Sequence, residues 1–106
     1  MMQQLEFPTA SEIAALMIGD PRHAEEFQAV FAAIQADFDE HGTVDVNRVR
    51  PRIPSWVYSR VTSAAYSALR NKDILVHTGE WVENTDKEGR NVGKPQKVYR
   101  LTERIA

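Results

Sequence analysis

The chain has 106 residues, 42% of them hydrophobic and 26% charged, with no cysteine and a formal net charge of −2. That length fits one domain with a core of its own, and the lack of cysteine excludes disulfides, thiolate zinc sites and cysteine nucleophiles. The charge is divided: residues 1–45 carry one cation, Arg22, against nine acids, for −8, while residues 46–106 carry twelve cations against six acids, for +6, so a partner would meet two different potentials.

The first predicted element is a short helix from Thr9 to Ile18. Thr9 is its cap, Glu12 completes a capping box, Ile13, Leu16 and Met17 share a face, and Gly19 stops it. Asp20 and Pro21 then supply an N-cap and a first-turn proline. The second helix is predicted from Pro21 to about His41. Phe27, Val30, Phe31, Ile34 and Phe38 form its buried stripe, and Gly42 is its stop. Thr43-Val44 reads as a very short strand. Asp45 reads as the cap of a short helix through Val46 and Val49, which cannot outlast Arg50 because Pro51 follows.

Pro54 and Ser55 are expected to punctuate and cap the next helix, from Trp56 to about Asn71. Val57, Val61, Ala64, Ala65 and Ala68 cluster on one side, for close packing on a neighbour. The other side carries Trp56, Ser59, Ser63, Tyr66, Ser67 and Arg70. Serine is a mediocre helix former, so this face is not there for helix stability; small hydroxyls suit close approach to a surface with hydrogen bonds on offer. Asn71-Lys72-Asp73 breaks the helix. An extended run then leads from Ile74 through Val82, a long polar tip holds Gly89, Gly93 and Pro95, and "KVYRL" returns with Val98 and Tyr99 on opposite faces.

The order is helix, short strand, short helix, helix, then a hairpin with a glycine-bearing basic tip. In that order, and in "SAAYSALRNKDILVHTG", residues 21–101 resemble the winged helix-turn-helix superfamily of DNA-binding domains, of the small bacterial or phage type. The resemblance implies an α+β winged helix: a three-helix core plus a two-stranded wing. Residues 21–106 would be that domain, and residues 1–20 an extension with an extra helix. The interruption "RPRIPS" departs from the family's compact turn and leaves the angle of helix entry open.

The resemblance further implies double-stranded DNA binding, as in a small transcriptional regulator. The recognition helix would span about 55–71, and the wing about 84–97. Ser55, Trp56, Ser59, Arg60 and Ser63 would face the major groove, with Arg60 the best reader of guanine. Arg48, Arg50 and Arg52 would neutralise phosphates. Lys87, Arg90 and Lys94, with Lys97 nearby, would serve the wing. Each has a plainer reading as a solvated surface charge. The first helix would either cover the core or pair with a second copy to make a homodimer.

Other chemistry finds little footing. Asn84, Asp86 and Glu88 before Gly89 mimic a calcium loop, but its twelfth position falls on Pro95. His23, His41 and His77 have no two-histidine metal spacing. No phosphate-cradling glycine loop or nucleophile elbow occurs. The expectation is therefore a non-enzyme without cofactor or metal. With no apolar run near 18 residues and no signal-peptide layout at the start, it is also expected to be cytoplasmic and free of the membrane. The rival reading is a protein-interaction module in which the acidic first forty-five residues meet a basic partner. RNA is a third, disfavoured because Trp56, Tyr58 and Tyr66 form no single row.

Overall fold

The structure, a computed structural model, describes residues 23–106. The predicted Thr9–Ile18 helix and the Asp20-Pro21 cap lie outside the described residues. Three helices and a two-stranded antiparallel sheet make an α+β fold.

Helix α1 (Ala24–His41) forms because its apolar residues recur at helical spacing. Phe27, Val30, Phe31 and Ile34 are buried, while Phe38 packs at the edge of the core. Burying side chains of this size contributes about 1.5–3 kcal/mol each. Gly42 ends the helix in the left-handed region (φ 74), and its N–H donates to the Phe38 carbonyl at 2.7 Å.

The expected strand at Thr43-Val44 is a single bridge. Val44 exchanges two backbone hydrogen bonds with Tyr99, at 2.7 and 2.9 Å. Asp45 then caps helix α2 (Val46–Val49) by accepting the Asn47 N–H at 2.8 Å. Pro51 has no N–H to continue an α-helix, and the chain tightens into a 3-10 turn over Arg50–Arg52.

The next helix starts later than the sequence suggests. Helix α3 spans Ser59–Asn71, and its N-cap is Tyr58. Pro54 to Val57 form a turn in which the Val57 N–H donates to the Pro54 carbonyl at 3.1 Å. Ser55 is therefore not a cap, and neither Ser55 nor Trp56 is helical. The reason is tertiary: the Tyr58 N–H donates to the Glu26 carboxylate of α1 at 2.7 Å while Tyr58 itself is extended.

Helix α3 buries Val61, Ala65, Ala68 and Leu69 against α1. It closes at Lys72, and Asp73 turns the chain at φ 56, a conformation that aspartate tolerates better than most residues. Strand β1 (Leu75–Glu83) pairs with β2 (Pro95–Leu101), and the register shifts between His77 and Trp81, where Gly79 adopts φ 98. Pro95, expected to help disrupt the tip, is instead the first residue of β2. The C-terminal segment is tied down as well: the Ile105 N–H donates to the buried Gln35 side chain at 2.8 Å, and the Ile105 side chain joins the core.

Candidate nucleic-acid interface

The segment Arg48 to Arg52 links α2 to the turn before α3, and each of its three arginines faces a different acid. Arg48 points inward. Its Nε donates to Asp37 Oδ1 at 2.8 Å, one terminal nitrogen donates to the Thr43 carbonyl and hydroxyl at 3.2 and 2.8 Å, and the other lies 3.7 Å from Asp45. Asp37 is fully buried and also accepts the Asp45 N–H at 2.9 Å. The carboxylate of Asp37 raises the pKa of Arg48 further, chiefly through that hydrogen bond. Arg52 pairs with Glu40 at the end of α1. Arg50 reaches the hairpin, with its Nε 3.7 Å from Asp86 and a terminal nitrogen 3.4 Å from Asn84 Oδ1. This differs from the sequence expectation of three arginines held out for phosphate: the segment is helical, α2 followed by a 3-10 turn, so side chains two residues apart point to different neighbours.

Helix α3 offers a different surface. Ser59, Arg60, Ser63 and Arg70 are exposed, and Ser67 accepts a hydrogen bond from Arg70 at 3.2 Å. Arg60 lies over the Tyr58 ring, 6.0 Å from its centroid. Trp56 and Tyr58 remain largely exposed on the preceding turn, at 59% and 55%. Tyr66, placed on the outer face by its sequence position, is instead tucked against the core. Burial, with the nearby charge of Asp37, raises its hydroxyl pKa well above the usual value for tyrosine.

The hairpin stands beside α3. Asn47 of α2 holds its base, donating to the Glu83 carbonyl at 2.8 Å and accepting from the N–H and hydroxyl of Thr85 at 3.1 Å. Asn84 is buried; its N–H donates to the Lys94 carbonyl, and its own carbonyl accepts the Gly93 N–H. Between hairpin and helix runs a groove of about 600 Å³, with Ser59, Thr62 and Ser63 on one wall, Asp86, Glu88 and Gly89 on the other, and Arg50 and Ile53 beneath. Asp86 and Glu88 make that part of the groove less positive than the basic half of the sequence suggests. Lys87, Arg90 and Lys94 are exposed at the tip.

The pairing separates the cations of the basic half into two classes. Arg48, Arg50, Arg52 and Arg104 have acidic partners, whereas Arg60, Arg70, Lys72, Lys87, Arg90, Lys94, Lys97 and Arg100 form no ion pair among the described residues. Sequence reasoning missed Asn47, and named Asn84 only as part of the failed calcium-loop match. Asn47 bonds a segment more than thirty residues away, and Asn84 joins a local bond to the Asp86 N–H with a distant one from Arg50. No described helix is long and apolar enough to cross a membrane. Comparison with protein-family models, with curated proteins and with solved structures finds no match.

Proposed function

We propose that this chain is a winged-helix domain that binds double-stranded DNA, with α3 as the helix presented to the major groove and the hairpin as the wing. The observation that carries the reading is the separation of cations: those of the Arg48–Arg52 segment are paired with acids, while Arg60 on the exposed face of α3 and Lys87, Arg90 and Lys94 on the neighbouring hairpin have no acidic partner among the described residues. Unpaired cations on adjacent projecting elements are what a phosphate backbone attracts.

The contact set is narrower than sequence position suggests. Arg60, with Ser59 and Ser63, would meet base edges or phosphates. Ser55 and Trp56 would approach from the preceding turn rather than from the helix. Arg48 and Arg52 would hold the scaffold and make no phosphate contact. The resemblance suggests a small regulator of transcription; the partner argued from chemistry is duplex DNA.

The test is a titration of random-sequence duplex, followed by fluorescence anisotropy at two salt concentrations. Binding at low salt that falls steeply with added salt is expected. No binding at low salt would sink the reading and favour the protein-interaction alternative.

A further inference from the structure

The inner end of the cleft between α3 and the hairpin holds donors that meet no acceptor among the described residues. It encloses about 180 Å³, lined by Arg50, Thr62, Ser63, Tyr66, Asn84 and Asn91 among others. Asn84 is only 7% exposed. Its Oδ1 accepts the Asp86 N–H at 2.8 Å and an Arg50 N–H at 3.4 Å, which fixes the orientation of the amide. Its Nδ2 group then has two N–H donors and no acceptor among the described residues. The Tyr66 hydroxyl, on the opposite wall, likewise makes no hydrogen bond to any described residue. The charges of Asp37, Arg50 and Asp45 all act on that hydroxyl, the two carboxylates opposing the guanidinium. Buried donors without acceptors are costly, and they mark where an acceptor belongs.

We propose that this inner cleft binds a phosphate group, with the Asn84 amide, the Tyr66 hydroxyl and the Arg50 guanidinium donating to its oxygens. The positive charge comes from Arg50, one edge of which Asp86 already occupies. The neutral donors add direction, and taken together they suit a group that carries several acceptor oxygens. The cleft volume corresponds to about six water molecules in the liquid, enough for one phosphate group. Asn47, by pinning the hairpin base to α2, sets the distance between the walls in advance. The phosphate has two sources of the same chemistry: a free phosphate-bearing small molecule, or a diester of the bound duplex. Only in the second case does the proposal rest on the reading above.

The experiment follows the Asn84 side-chain NH2 and the Asp86 backbone N–H resonances by NMR in the full chain, the Asp86 amide being the readout in Asn84→Asp because it stays bonded to that side chain. One arm adds inorganic phosphate against chloride at matched ionic strength; the other adds a short random-sequence duplex. Asn84→Asp is the main variant, because it keeps both accepted hydrogen bonds and replaces the free donors with an acceptor. Tyr66→Phe is the second. It removes a hydroxyl with no partner among the described residues, so it decides the matter should Asn84→Asp fail to fold. A saturable shift with inorganic phosphate, lost in Asn84→Asp and weakened about threefold or more in Tyr66→Phe, supports a free-phosphate site. A shift with duplex alone supports the diester, provided Asn84→Asp lowers duplex affinity about tenfold and the salt slope by about one. Unmoved resonances in both arms, or variants that titrate like wild type, overturn the proposal. Duplex binding that leaves Asn84 unmoved removes this site but not the proposed function. Phosphate binding without duplex binding does the reverse.

Discussion

The Arg48–Arg52 connection and the hairpin tip each place three cations within a short stretch of chain, yet they end in opposite conditions. In the connection every arginine meets an acid from another element: Asp37 and Glu40 from α1, and Asp86 from the hairpin. At the tip Lys87, Arg90 and Lys94 meet none among the described residues. What separates them is the presence of acids on the neighbouring elements, one of which, Asp37, is buried. A cation beside a buried carboxylate becomes part of the scaffold, because leaving either charge alone is costly. A cation on a projecting loop keeps its water and its freedom to engage a partner.

The largest effect that would break this comparison is on Asp37. Asp37→Ala should cost about 3 kcal/mol of stability, since it strands the Asp45 N–H and removes the acceptor of Arg48. Urea denaturation measures it, and a loss below about 1 kcal/mol would mean that Arg48 is not committed to the scaffold. Next comes Arg60→Ala. Duplex affinity should fall roughly 10- to 100-fold while the denaturation midpoint stays where it was, the pattern of a residue that reads rather than supports.

The tip makes a smaller, more diffuse contribution. Changing Lys87, Arg90 and Lys94 together to alanine should lower the slope of log affinity against log salt by up to about 2.7, one phosphate's worth for each cation. Arg52→Ala is the matching control from the connection, and its salt slope should equal that of wild type. An equal drop in both would erase the distinction between the two regions.

The smallest expected effect concerns the turn before α3. The Glu26 carboxylate is held below its usual pKa, first by the Tyr58 N–H and then by His23. A carboxylate with a lowered folded-state pKa stabilises fully above its ordinary value, 4.5, and that contribution fades as pH falls through the lowered one. The Tyr58 amide resonance should report this step below pH 4.5 and lose it in Glu26→Gln.

Much of the architecture was legible before any coordinates. The Phe27–Ile34 stripe, the Gly42 stop, the Asp45 cap and the break at Asn71–Asp73 were each readable from a few neighbouring residues. The start of α3 was not, because a carboxylate thirty-two residues earlier holds Tyr58 and overrides the local cap at Ser55. Tyr66 was misplaced for a related reason: helical spacing gives a direction around the axis, but not whether a neighbouring element closes over that direction. The winged-helix resemblance came from element order, and its functional content stays a proposal.

Periodicity, capping and turn residues act over one or two turns of backbone, so the chain's own pattern specified where most helices and strands run and which sides are apolar. Hydrogen bonds and ion pairs act over about 3–4 Å between groups that are often distant in sequence. Their partners were therefore settled by packing: Arg48 went to Asp37, the Asn84 amide donors met no acceptor among the described residues, and Arg90 stayed exposed.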